Sequence, residues 1–262
     1  MLAFAFIAGY FCNGPLYKPR NLYPLRKFLA YIFVSCLAIL SSSFTSMPSI
    51  TDKEFPWSAN SALFTVKDIY AEASLLYEQL SLDEKGLSKE AFDYAYKGYE
   101  YLLEKKMISQ PGYLTICDFS QSSKHKRLYI IDMANGHILV NTYVAHGHNS
   151  GGEYATRFSN KPSSKQSSLG FYITKNTYRG ENGLSLRVEG LEPGFNDKAY
   201  RRAIVIHGAD YIGDGSAGRS YGCPAIPLKE SKTIINTIKN GSCLFIYNPQ
   251  KKYLQSSKIL ND

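Results

Sequence analysis

Only five of the 262 residues are cysteine, and apolar runs of about twenty residues do not recur. The second absence excludes a polytopic membrane protein. Acidic residues are missing from residues 1–46, which carry Lys18, Arg20, Arg26 and Lys27, half of the net charge of +8. Along the rest of the chain Lys and Arg are scattered rather than clustered, so the basic pI near 9.1 gives little support to nucleic-acid binding. No internal repeat is visible. What is present is aromatic: 21 Tyr and 14 Phe, within 44% apolar residues, exclude a disordered chain and suffice for one or two globular cores.

The basic residues at the start precede an apolar run, Phe28 to Leu40, followed by Ser41, Ser42, Ser43, Thr45 and Ser46. That order predicts a secretory signal peptide over residues 1–46. Thirteen apolar residues rise only ~20 Å as a helix, short of the ~30 Å hydrocarbon layer, so an uncleaved N-terminal anchor is the secondary reading. Lipidation at Cys36 fits poorly after Phe33, Val34 and Ser35. Residues 1–12 are a second apolar stretch with no basic residue ahead of it, as an initiation codon assigned too far upstream would produce. The expected location is the periplasm or cell envelope, with any membrane association confined to this segment. Without the leader, Cys117, Cys223 and Cys243 remain. Cys117 and Cys243 lie in strand-like runs and are either two core thiols or a disulfide. Cys223 sits between Gly222 and Pro224 in a loop.

Residues 47–61 read as a linker. Apolar positions at Val66, Ile69, Tyr70, Ala73, Leu76, Tyr77 and Leu80 recur at three- and four-residue spacing and predict a helix over 62–80. After a break at Gly86, Ser88 is placed to cap a second helix reaching about Met107, with Phe92, Ala95, Tyr99, Leu102 and Leu103 on its inner stripe. From Tyr113 the period changes to two. Strands are predicted at 114–119, 128–132, 138–144, 170–177, 184–188, 203–207 and 242–247, with a two-residue turn at Asn135-Gly136 and one helix at 228–239. The fold class is therefore α+β: a helical hairpin over 62–110, a mostly antiparallel β catalytic domain over 111–250 with one packed helix, and a tail over 251–262.

His207 ends the apolar strand 203–207, and five glycines lie among residues 208–222. A loop so rich in glycine can turn sharply and bring Cys223 back beside the histidine. A free thiol has a pKa of ~8.5, and a neighbouring imidazole favours the thiolate, which is the nucleophile. The backbone N–H groups at Gly222 and Cys223 are candidate donors to a tetrahedral oxyanion. The bland reading is a buried Cys and a strand-end His that never meet.

His207-Gly208-Ala209 followed by Gly218-Arg219-Ser220-x-Gly222-Cys223-Pro224-Ala225 resembles the murein L,D-transpeptidase catalytic domain, in the YkuD-like superfamily. The likeness extends to His146-Gly147-x-x-Ser150-Gly151, to Ala155-Thr156-x-Phe158-Ser159-Asn160, to 167–172 and to 194–196, covering about 62–247. It implies a YkuD-like β-sandwich or barrel and an enzyme that acts on peptidoglycan stem peptides, donor and acceptor, without a cofactor or metal. Cys223 would attack the carbonyl of the third stem residue and His207 would serve as base. The Gly208 carbonyl would orient His207, and Gly222 would help hold the oxyanion. Arg219, Ser220, Tyr221 and His146 are the implied substrate-side residues. Arg219 is either a stem-carboxylate ligand or a loop hydrogen bonder, and Ser220 either bonds within the loop or contacts the acyl group. Wider superfamily members carry His before Gly-Cys, where this chain has Tyr221, and Arg or Asn after it, where this chain has Pro224 and Ala225.

Transfer of the acyl group to an amine makes a transpeptidase, and transfer to water an L,D-carboxypeptidase; the sequence does not separate them. His146 and His148 flank Gly147 in a spacing that zinc peptidases use, with His207 as a third ligand, but no His-x-x-x-Asp segment precedes them. A wall-binding module with a dead site is the non-enzymatic reading. His125 and His137 are expected to face solvent, and 159–168 is either a surface loop or a lid.

Overall fold

The computed structural model describes residues 66–213, 216–217 and 219–262. The expected leader, linker and first helical residues, 62–65, lie outside the described residues, as do Gly215 and Gly218 of the glycine-rich loop. Helix α1 spans Val66–Gln79 and α2 spans Lys89–Glu104. The cap predicted at Ser88 forms: its hydroxyl oxygen accepts from the Ala91 N–H at 3.3 Å and its hydroxyl donates to Asp118 Oδ2 at 3.1 Å. Phe92, Ala95, Tyr99 and Leu102 are buried on one stripe of α2. Gly98 allows that stripe to approach the sheet, since a Cβ there would lie 2.0 Å from Phe171 Cζ.

The strands are β1 Tyr113–Asp118, β2 Leu128–Asp132, β3 His137–Thr142, β4 Gly170–Gly180, β5 Gly183–Gly190, β6 Val205–Ala209, β7 Ile212–Gly213, β8 Ser216–Ala217, β9 Ala225–Pro227 and β10 Cys243–Tyr247. Eight of them form one sheet in the order β3-β2-β1-β10-β4-β5-β6-β9, while β7 and β8 make a separate two-stranded ribbon. Pairing is antiparallel except at two seams, β1 with β10 and β6 with β9. Beyond β3, the Ala145 N–H donates to the Ala225 carbonyl of β9 at 2.8 Å. That bridge joins the two edges of the sheet, giving the barrel-like closure that leaves few unpaired strand edges. Helix α3, Leu228–Ile238, follows β9 directly and buries Ile234, Ile235 and Ile238. Gly208 is where α3 crosses β6, because a Cβ there would meet Ser231 Oγ at 2.6 Å.

The α+β class and the mostly antiparallel sheet agree with the sequence reading, and three local expectations need correction. The 133–136 connection is not a two-residue turn. The Asp132 carboxylate accepts from the N–H groups of Ala134 and Asn135, at 3.0 and 2.9 Å, and closes a four-residue loop. The short strand β9 was not anticipated, since three residues carry no readable period. The expected tail contains α4, Lys251–Ser256, and α5, Lys258–Asn261. Both are docked through Glu192, whose buried carboxylate accepts from Tyr253 Oη at 2.9 Å, from Phe171 N–H at 2.7 Å and from the Ser257 hydroxyl. The described hairpin, sheet and C-terminal helices belong to one compact unit. No helix among the described residues is long and apolar enough to cross a membrane.

Candidate active site

The parallel seam between β6 and β9 sets the site. His207 is in register with Ala225, so Cys223, two residues earlier in the chain, meets the start of β6 near Val205. The Cys223 thiol lies 3.7 Å from the Ala203 carbonyl oxygen. It is not in a disulfide, and neither is Cys117 or Cys243. Burial pushes the Cys223 thiol up, against the Val205 N–H and the Arg202 cation, which both favour the thiolate.

His207 is 6% exposed, and its Nδ1 lies 3.0 Å from the Gly208 carbonyl oxygen. A carbonyl only accepts, so Nδ1 carries a proton and Nε2 is the nitrogen left for proton exchange. The resemblance implies an orienting role for the Gly208 carbonyl, and this is the side-chain hydrogen bond that His207 makes among the described residues.

The turn before Cys223 is fastened from within. The Ser220 hydroxyl donates to the Cys223 carbonyl at 2.5 Å and accepts from the Gly222 N–H at 3.1 Å. Ser220 thus takes the loop-bonding role of its two alternatives. Gly222 departs from the expected oxyanion role, because its N–H is committed to Ser220. What the position does require is glycine: φ is +119°, and a Cβ would lie 2.8 Å from the Gln166 carbonyl oxygen. Tyr221 is 73% exposed on the rim, with Lys165 Nζ 4.7 Å from its ring centroid. Arg219 is also exposed.

His146 is corrected from a substrate-side residue to one behind the turn. It has no exposed surface, and its main chain pairs with the turn: the Ser220 N–H donates to the His146 carbonyl at 3.0 Å. Its Nδ1 faces Arg127 Nη2 at 2.8 Å. A guanidinium only donates, so Nδ1 accepts and the proton sits on Nε2, which is buried without a hydrogen-bond partner. Burial, then the Arg127 charge, lowers the His146 pKa to about 4. His148 is exposed, so the two histidines of the zinc spacing face different surroundings. Among the described residues, no group of three or more His, Cys, Asp or Glu is arranged to hold a metal ion. His125 and His137 are exposed, as expected.

The 159–168 segment is more than a surface loop. Its tip is exposed, but Ser167 and Ser168 are buried. Ser167 Oγ accepts from the Gly147 N–H at 3.0 Å, and the Ser167 N–H donates to Ser150 Oγ at 2.9 Å. The residue that sequence reasoning missed is Arg202, whose guanidinium donates to four acceptors in this segment. The one available signal was an arginine directly ahead of the histidine strand.

The family model described as the L,D-transpeptidase catalytic domain matches residues 83–247, which include the whole of this constellation. No curated protein sequence matches the chain. Among solved structures it is similar to an L,D-transpeptidase from Mycobacterium smegmatis, with 12% identity and a TM-score of 0.34, over 52% of this chain and 59% of that one. An L,D-transpeptidase from Stackebrandtia nassauensis matches at 13% identity and TM-score 0.32, over 74% and 86% of the two chains. One from Xylanimonas cellulosilytica matches at 11% identity and TM-score 0.32, over 69% and 93%.

Proposed function

We propose that this chain, which belongs to the L,D-transpeptidase catalytic domain family, is an exported cysteine acyltransferase of peptidoglycan stem peptides. The observation that carries the reading is the His207 ring, held by the Gly208 carbonyl with Nε2 as its basic nitrogen, one strand from the turn that presents Cys223. In the first half-reaction His207 Nε2 takes the thiol proton, and the sulfur attacks the carbonyl carbon of the third stem residue. The tetrahedral intermediate collapses as the C–N bond breaks, and His207 returns the proton to the departing amine of the terminal D-residue. The thioester on Cys223 then passes to an acceptor amine, which forms the cross-link and frees the thiol. Arg219 and Tyr221, exposed on the rim, are available to the stem peptide. The basic and apolar leader supports export to the periplasm or cell envelope.

Cys223→Ala is expected to abolish thioester formation while leaving the melting transition in place. Turnover retained in that variant overturns the reading. Purified protein incubated with tetrapeptide muropeptides and analysed by mass is expected to give cross-linked dimers. Tripeptides without dimers would make the enzyme a carboxypeptidase with the same nucleophile. Inhibition by a chelator, with survival of iodoacetamide treatment, would favour a zinc peptidase instead.

A further inference from the structure

Arg202 lies in the turn that leads into β6, five residues before His207. Its Nη1 donates to the Ser159 carbonyl at 2.7 Å and to Ser168 Oγ at 2.5 Å. Its Nη2 donates to the Gln166 carbonyl at 2.6 Å and to Ser164 Oγ at 3.2 Å. Every one of these acceptors is neutral. A half-buried guanidinium among carbonyls and hydroxyls keeps its charge, and that charge is left to act on whatever lies beside it.

What lies beside it is the nucleophile turn. The point at which a Gly222 Cβ would sit is 3.3 Å from Arg202 Nη2 and 2.8 Å from the Gln166 oxygen that Arg202 holds. Ser167, next to Gln166, bonds Gly222 in turn, its Oγ 3.5 Å from the Gly222 carbonyl oxygen. The residue after Arg202 is Ala203, whose carbonyl receives the Cys223 thiol. One residue therefore holds the Gln166 carbonyl that faces Gly222 and directly precedes the one whose carbonyl receives the sulfur.

We propose that Arg202 is a positioning residue for Cys223, a fixed cation that clamps the 159–168 segment against the Gly222–Cys223 turn and sets a permanent positive charge beside that turn. The proposal rests on Cys223 being the nucleophile. The charged and titratable groups that act on the sulfur are Arg202 and Tyr211, while His207 lies on the adjoining strand in register with Ala225. Arg202 favours the thiolate, whereas an ionised Tyr211 would oppose it. Arg202 and Cys223 interact reciprocally, each favouring the charged form of the other.

The test is the pH dependence of Cys223 alkylation by iodoacetamide in the full chain, read by peptide mass, beside kcat and KM on tetrapeptide muropeptides. In Arg202→Gln the alkylation midpoint is expected to rise by about one pH unit, so that labelling at pH 7 slows roughly tenfold. Arg202→Lys keeps the charge and loses the planar fork. Its midpoint is expected to stay within about half a unit of the starting protein while kcat falls several-fold and KM changes little. A folded Arg202→Gln protein with an unmoved midpoint overturns the assignment. If Arg202→Gln does not fold, the lysine variant decides alone: a midpoint displaced by a full unit, or an unchanged kcat, overturns it. Alkylation needs no turnover, so this result stays separate from that of Cys223→Ala, which tests the nucleophile itself.

Discussion

Two parallel seams interrupt an otherwise antiparallel sheet, and both carry cysteine. Where β1 meets β10, five residue pairs run from Leu114 beside Cys243 to Asp118 beside Tyr247, and Cys117 and Cys243 have no exposed surface. Burial alone pushes the Cys243 thiol up. Burial also dominates at Cys117, whose thiol rises to about 12 despite the Arg127 charge nearby. Where β6 meets β9 the pairing covers three residues, and the chain enters through a glycine turn with its sulfur at the lip. The same pairing thus accompanies two enclosed thiols inside paired strands, Cys243 at the start of β10 and Cys117 near the end of β1, and a partly exposed one two residues before β9 begins. Reactivity here is a matter of burial and neighbouring donors, since the residue type is common to both seams.

The sharpest way to break this comparison is chemical. In the folded protein iodoacetamide is expected to label Cys223 at least ~1000-fold faster than Cys117 or Cys243, both of which should react only after denaturation, because enclosed thiols stay protonated and out of contact. Comparable labelling of Cys243 in the native state would erase the distinction between the seams. The next largest effect concerns the turn. Gly222→Ala must place a Cβ at positive φ against the Gln166 carbonyl, and a stability loss of roughly 2–4 kcal/mol is expected, with most activity gone. Gly183→Ala, also at positive φ (+73°) but with open space around the added carbon, should cost only about 1 kcal/mol and spare activity. Equal losses in the two variants would mean that φ, and not the Gln166 contact, governs the turn.

A third test addresses the wall behind the turn. His146 stays neutral in the folded chain down to about pH 4, whereas the unfolded chain protonates it near 6.5. Above pH 6.5 both states are neutral and the residue adds no pH dependence. As the pH falls from 6.5 to 4 the unfolded state gains protons that the folded state refuses, and stability should drop by up to ~3 kcal/mol. Urea midpoints between pH 4 and 8 are expected to show a shallower acid slope for His146→Gln than for the unmodified chain. Parallel slopes would show that Arg127 and burial do not hold this ring neutral.

What could be read along the chain was local. The Ser88 cap, the stripe on α2, the His207 strand and the glycine-rich approach to Cys223 all depend on residues within a few positions of one another. What could not be read was long-range. Arg202 meets its acceptors 34 to 43 positions away, and Ala145 meets Ala225 across 80. His146 was misplaced because spacing alone does not show burial: the 128–144 hairpin was expected, but not that Arg127 beside it would meet the His146 ring. The C-terminal helices carry too few apolar positions to show a period, yet Tyr253, Ile259 and Leu260 are buried once Glu192 gathers their hydroxyl donors.

Ala203 offers the smallest effect and the finest probe of the β6–β9 seam. It holds φ at +53°, a left-handed conformation that an alanine adopts at a cost of ~1 kcal/mol, and its carbonyl is the one that receives the Cys223 thiol. Its N–H donates to the Tyr200 carbonyl at 3.0 Å, so the turn itself fixes the conformation. Glycine would remove the steric cost but loosen the unfolded chain by ~0.4–1 kcal/mol, so the two terms nearly cancel. Ala203→Gly is therefore expected to move stability by less than about 0.5 kcal/mol in either direction. Activity should still fall a few-fold, because the carbonyl facing the sulfur gains freedom to turn away. Measured together, thermal melting and muropeptide turnover separate the two contributions. A variant with unaltered turnover would show that the thiol is placed by Gly222 and Ser220 on its own side of the seam, without help from the strand it faces.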